Sequence, residues 1–120
     1  MTVQQAAALL GAEILSEGDL SRTVCGGYAG DLLSWVMGNV EADQIWITIM
    51  TNANVIAVAL LRDVSAVLLS EGVEMEPEVL DKARGEKITV LRSNKSTYAL
   101  CAALDQLLHE ETASCDRGIS

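Results

Sequence analysis

The chain reads as an α/β domain, a three-layer α/β/α sandwich around a mostly parallel sheet. Three observations predict this. From Ile45 onward, short β-branched apolar runs alternate with helix-length segments in the order strand, helix, strand, helix, strand, helix, the pattern of right-handed crossover units. Ile45-Trp46-Ile47-Thr48-Ile49 is apolar on both faces of an extended chain, as a strand covered by helices on either side must be. At 120 residues, half of them hydrophobic, the chain can bury a core without disulfide or metal staples.

Each element has a local reason. Val3 to Leu10 is rich in Ala, Leu and Gln and is closed by Gly11, a helix with a left-handed stop just past its end. Ala12 to Ser16 is a short strand ended by Glu17-Gly18-Asp19, and Thr23-Val24-Cys25 is a second extended piece entering Gly26-Gly27-Tyr28-Ala29-Gly30. These two early strands lie close together in sequence and are expected to add a hairpin or an antiparallel edge. Asp31 is expected to cap a helix through Val36 or Met37, stopped at Gly38-Asn39. Ile45 to Ile49 is the central strand. Asn52 or Asn54 caps a helix over Val55 to Leu61, whose Ala content and flanking strands outweigh its strand-like composition. Ala66 to Leu69 is the next buried strand, stopped at Ser70-Glu71-Gly72. Pro77 opens a helix to Ala83 or Arg84, where its missing N–H costs nothing. Lys87 to Leu91 is the last strand and Ser96 to Leu108 the last helix. One domain over residues 1–109 and a disordered tail over residues 110–120 are expected.

Composition excludes several classes of function. Eight Lys and Arg stand against 17 Asp and Glu, a net charge of −9. A nucleic-acid footprint needs a basic patch, so no nucleic-acid partner is expected. The longest apolar run, Val55 to Leu61, is far short of the roughly 18 residues of a membrane span. Met1 to Gln5 carries no basic segment ahead of an apolar core, so no signal peptide is read and the cytoplasm is the expected compartment. Cys25, Cys101 and Cys115 have no metal or redox spacing and read as free thiols. The single histidine, His109, stands beside Glu110 and Glu111 near the end of the last helix and reads as a surface residue. No metal site and no cofactor are expected.

In an open parallel sheet, ligands gather beyond the carboxyl ends of the strands, where helix N-termini point outward. Four loops fall there: Gly26 to Asp31, Met50 to Asn54, Ser70 to Gly72 and Arg92 to Thr97. They are rich in Gly, Asn, Ser and Thr, the residues that ordinary turns and caps also use. Lys95 within Arg92-Ser93-Asn94-Lys95-Ser96-Thr97 adds a positive charge. The Gly26-Gly27 loop is neither a Walker phosphate loop nor a dinucleotide fingerprint, and close backbone packing explains its glycines as well as phosphate contact does. The acidic group Glu71, Glu74, Glu76 and Glu78 reads as a solvated face that favours a helix dipole.

The segment Asp19-Leu20-Ser21-Arg22-Thr23-Val24-Cys25-Gly26-Gly27 resembles the signature of the DRTGG domain family, with Asp19, Arg22, Thr23, Gly26 and Gly27 as matching letters. The resemblance extends through Ala29 to Ser34, Thr48 to Asn54, Ser70 to Gly72 and Arg92-Ser93, about residues 5–108. It implies a three-layer α/β/α fold like that of the N-terminal domain of HPr kinase. It also implies a regulatory module of the kind fused to phosphate acetyltransferases and to CBS-domain pyrophosphatases, with adenine nucleotides as ligands of some relatives.

Together these readings lead to a non-catalytic regulatory domain that binds a small anionic ligand, an adenine nucleotide. Arg22 and Lys95 are expected to neutralise phosphate, Asn52 and Asn54 to read base or ribose, Gly26 and Gly27 to admit the backbone close to the ligand, and Ser93 to line the site. The alternative is a protein-interaction or dimerisation module without a small ligand. A small enzyme with Asp19 or Asp31 as base is a third reading. A homodimer is expected, because the helix from Asp31 to Met37 holds Leu32, Leu33, Trp35, Val36 and Met37 and only Ser34 as a polar residue; an all-round apolar helix packs on both sides.

Overall fold

A computed structural model of the protein describes residues 1–111. The elements run α1 (Val3–Leu10), β1 (Glu13–Ser16), β2 (Gly26–Ala29), α2 (Leu33–Asn39), β3 (Gln44–Thr48), α3 (Ala53–Arg62), β4 (Ala66–Leu69), α4 (Pro77–Gly85), β5 (Val90–Arg92) and α5 (Thr97–Glu110). They form a five-stranded sheet in the order β1-β5-β4-β3-β2. Strands β2 to β5 are parallel and β1 closes one edge antiparallel to β5. The expected α/β sandwich with a mostly parallel sheet is therefore the observed fold.

Strand order and helix placement follow from one another. Because β2, β3, β4 and β5 are laid down as successive neighbours, α2, α3 and α4 all cross the same face. Their side chains Val36, Ile56, Ala59 and Ala83 meet Trp46, Val67, Leu69 and Val90 there. On the other face α1 and α5 bring Val3, Ala6, Leu10, Leu100 and Leu104 against Ile45, Ile47, Leu68 and Leu91. Alternate residues of β3 and β4 thus enter opposite cores, which is why those strands read as apolar without alternation. Trp46 is fully buried, and its indole N–H donates to the Gly30 carbonyl at 2.9 Å, so its polar atom is satisfied where its ring is packed.

Caps set several boundaries. Thr2 and Gln5 form a reciprocal capping box on α1, and Gly11 ends it in the left-handed region. Asn52 caps α3 by accepting from the Asn54 N–H at 2.9 Å. Ser96 caps α5. The expected Asp31 cap does not form. Leu32 is the N-cap of α2, and the Asp31 carboxylate instead accepts from Thr48 Oγ1 at 2.8 Å and the Ile49 N–H at 3.0 Å, tying the end of β2 to the end of β3.

Other local expectations shift. The early strands form no hairpin with each other; β1 supplies the expected antiparallel edge, against β5, and β2 lies at the opposite edge of the sheet. The second strand begins at Gly26 rather than Thr23, and Thr23 makes an isolated bridge with Thr2. Lys87 takes a left-handed conformation at φ 58°, so the chain turns there and β5 starts at Val90. Helix α5 continues through Glu110. The remainder of the expected tail, with Cys115, lies outside the described residues. No helix among the described residues is long and apolar enough to cross a membrane.

Candidate functional site

At the carboxyl edge of the sheet the chain leaves β4 toward α4 on one face and β5 toward α5 on the other. This is the crevice where such sheets hold ligands. Here the protein's own groups fill it. Glu71, held at φ 60°, turns its carboxylate onto the start of α5 and accepts from the Thr97 N–H at 2.9 Å. Ser70 and Thr97 share a hydroxyl hydrogen bond of 2.6 Å. The two loops are also bonded through backbone, Glu71 N–H to the Lys95 carbonyl at 2.8 Å and Gly72 N–H to the Ser93 carbonyl at 2.9 Å. A carboxylate already stands where an anion would sit at this helix start.

A second opening on the same edge lies between the starts of α3 and α4. It is a cleft of about 460 Å³ lined by Thr51, Asn52, Ala53, Glu76, Glu78, Val79 and Lys82. Asn52 Oδ1 is used in capping α3, which leaves the amide NH₂ of that side chain to donate elsewhere. The N-cap of α4, Glu76, makes no side-chain capping bond. Two helix starts, an amide, two carboxylates and one ammonium therefore face one cleft, whose volume falls within the range of small-molecule sites.

The structure divides the seven residues that the sequence groups together. Asn52 lines the cleft, and Asn54, in the first turn of α3, gives its N–H to Asn52. Ser93 and Lys95 belong to the filled crevice. Ser93 is buried and its Oγ accepts from the Lys95 N–H at 3.1 Å, while Lys95 Nζ donates to the Leu10 carbonyl at 3.3 Å, at the end of α1. Gly27 is a packing residue: a Cβ built there would stand 2.7 Å from Leu104 Cδ2, so glycine lets α5 settle on β2. Gly26 has the Gln44 side chain as its neighbour, at 3.4 Å from such a Cβ.

Arg22 lies at the opposite, amino edge. Its Nε and Nη2 donate to Asp43 Oδ1 at 3.0 and 2.8 Å, Nη1 lies 2.9 Å from Asp63 Oδ1, and Nη2 also bonds the Asp63 carbonyl. Burial pulls the proton affinity of the guanidinium down, and the hydrogen bonds to Asp43 and Asp63 more than reverse it, so its pKa is raised. Asp43 precedes β3 and Asp63 ends α3, both in the left-handed region. The side chain thus clamps the β1–β2 connection to two neighbouring turns. Asp19, the first signature residue, shapes that connection by accepting from Ser21 Oγ at 2.6 Å and Ser21 N–H at 3.0 Å.

Sequence reading missed Glu76, Glu78 and Lys82 as site residues and Glu71 as the occupant of the crevice. The acidic group was visible, but a carboxylate run before a helix is what a helix start attracts in any case. Only the placement of α4 beside α3 separates these residues from a solvated face. Cys101 is the free thiol among the described residues, and burial pushes its pKa up. Cys25 is disulfide-bonded, which corrects the free-thiol expectation at that position. No cluster of three metal-ligating side chains occurs among the described residues.

Comparison with known proteins places the fold. The chain is similar to a crystal structure of the CBS and DRTGG domains of the regulatory region of Clostridium perfringens pyrophosphatase, complexed with its activator diadenosine tetraphosphate, with a TM-score of 0.67 at 14% identity. The match covers 94% of this chain and 51% of that one, so the chain spans about half the length of its structural relative. No curated protein sequence matches. The family model for the DRTGG domain matches residues 5–107, from the middle of α1 to the last turns of α5, and the chain belongs to the DRTGG domain family.

Proposed function

We propose that this regulatory domain binds an adenine nucleotide in the cleft between α3 and α4, acts in the cytoplasm and catalyses no reaction of its own. The observation that carries the reading is the cleft itself, where two helix starts and the side chains of Asn52 and Lys82 converge with room for a nucleotide. Lys82 neutralises phosphate. The Asn52 amide donates to the base or the phosphate. Glu76 and Glu78 accept from the ribose hydroxyls. Two carboxylates against one ammonium disfavour a long polyphosphate chain, so a monophosphate is the better ligand. The diadenosine tetraphosphate complex of the pyrophosphatase region supports the ligand class.

Calorimetric titration with AMP, ATP and diadenosine tetraphosphate, beside thermal melts, tests this. At 100 times its dissociation constant the ligand stabilises the fold by about 2.7 kcal/mol. Asn52→Ala and Lys82→Ala weaken binding; Lys82→Ala leaves the unliganded melt within about 0.5 kcal/mol, as exposed substitutions do, whereas Asn52→Ala also removes the α3 cap and costs about 1 kcal/mol. Absence of heat and of any thermal shift at millimolar nucleotide overturns the reading.

A further inference from the structure

Independently of the nucleotide cleft, we infer that the free edge of β2 takes an extended, basic peptide segment of another protein as an added strand. The two edges of the sheet differ. At β1 the edge is closed off: the register shifts between Ile14 and Ser16, Arg84 Nη2 donates to the Leu15 carbonyl at 3.0 Å, and Glu13 pairs with Arg92 at 3.3 Å. Bulges and edge charges are the devices that keep a sheet from pairing further. At the other edge Gly26-Gly27-Tyr28-Ala29 runs in register with Gln44 to Ile47 and carries neither charge nor proline. Among the described residues no side chain bonds the backbone of these four residues, and alternate N–H and C=O groups of an edge strand face outward.

A cavity beside this edge offers an added strand its side-chain pocket. It measures about 300 Å³ and lies between β2 and α5, with Ile47, Cys101, Leu104 and Leu108 as apolar walls. Gly27 faces Leu104, and Ala29, two residues on, lies on the same side of the strand. Both are small and exposed, so β2 itself does not fill the cavity. Strand addition draws its affinity from main-chain hydrogen bonds and its specificity from pockets for alternate side chains. Both are present at β2.

Charge selects the partner. Among the described residues lining the cavity, Asp105 alone is charged, and its side chain is 74% exposed, with His109 Nδ1 at 3.4 Å. The chain as a whole carries −9. A strand that puts an apolar side chain into the cavity and an Arg beside Asp105 matches both features, and the guanidinium fork suits a carboxylate better than an ammonium does. An acidic segment is repelled, and a second copy of this chain brings the same carboxylate and the same net charge to the contact.

Amide-detected NMR of the ¹⁵N-labelled full chain, titrated with a short end-blocked peptide of alternating Val and Arg, reads the outcome. Saturable shifts are expected at Gly26 to Ala29 and at Cys101 to Leu108, with slowed hydrogen exchange at Gly26 to Ala29. The same peptide N-methylated on every amide keeps its side chains and charge but loses the donors of a strand, and is expected not to bind. A peptide with Glu in place of Arg is expected not to bind either. Asp105→Asn is expected to weaken binding about threefold to fivefold, the loss of one exposed ion pair. Ala29→Lys is expected to abolish it with an unchanged far-ultraviolet spectrum; should that variant misfold, the Asp105 variant and the methylated peptide still decide. No shift at millimolar peptide, equal binding of the methylated peptide, or shifts centred outside these two segments overturns the inference. Protection of Gly26 to Ala29 that grows with protein concentration in the absence of peptide makes a second copy the occupant and overturns it too. None of these results bears on nucleotide binding, which is measured separately.

Discussion

Arg22→Ala distinguishes a structural clamp from a phosphate ligand at the centre of the family signature. The substitution removes both bonds to Asp43 Oδ1, at 3.0 and 2.8 Å, and the contacts with Asp63. The side chains of Arg22 and Asp43 are 26% and 29% exposed, so this pair is screened only in part and is expected to contribute about 1.5–2.5 kcal/mol. The Asp63 side chain is 70% exposed, and its pair adds no more than about 0.5 kcal/mol. The sum is about 1.5–3 kcal/mol, or roughly 10 °C in melting temperature for a domain of this size. Thermal melts followed by circular dichroism read the loss, and calorimetry on the same sample reads nucleotide affinity, which is expected to be unchanged because the cleft lies at the other edge of the sheet. Arg22→Lys keeps the charge without the fork and is expected to recover less than half of the loss. An Arg22→Ala variant that melts like wild type and no longer binds nucleotide refutes the clamp and restores Arg22 to the ligand.

Gly27→Ala drives a methyl group to 2.7 Å from Leu104 Cδ2 and is expected to cost about 1–3 kcal/mol in a denaturant titration, the range for overpacking. Glu71→Ala uncovers the Thr97 N–H and is expected to cost about 1 kcal/mol; it also opens the crevice between β4 and β5, so inorganic phosphate is expected to stabilise this variant and not the wild type. Hydrogen bonds from the Ser21 hydroxyl and N–H hold the Asp19 carboxyl below its usual 3.8. Its stabilising contribution is therefore complete above that value and is lost as pH falls through the lower folded one. Carboxyl-carbon NMR is expected to place the Asp19 midpoint below 3.8 and to show it rising in Ser21→Ala.

The layers were legible in sequence because burial on both faces leaves a strong trace. Ala66 to Leu69 is the observed β4 residue for residue, and Val3 to Leu10 with its Gly11 stop is the observed α1. Where one side chain had two possible duties, the sequence was ambiguous. Asp31 could cap α2 or bridge β2 to β3, and the nearness of Thr48 and Ile49 in space decides between them. Gly26 and Gly27 have low strand propensity, yet pairing with Gln44 and Ile45 and the approach of Leu104 make them strand. Arg22 and Lys95 read as phosphate ligands because a cation in a loop shows nothing of its partners; Asp43, Asp63 and the Leu10 carbonyl are 21, 41 and 85 residues away from them. The grouping of seven site residues on one edge failed for Arg22 because the loop before β2 reaches the amino edge, which strand direction alone decides.

Chemical-shift mapping of the ¹⁵N-labelled chain during titration with AMP tests the central claim most directly. The account predicts saturable shifts centred on Thr51 to Asn54 and on Glu76 to Lys82, with the amides of Asp19 to Gly27 and Ser93 to Thr97 unmoved. Shifts centred on either of those two loops, or a spectrum unchanged at millimolar AMP, contradict it.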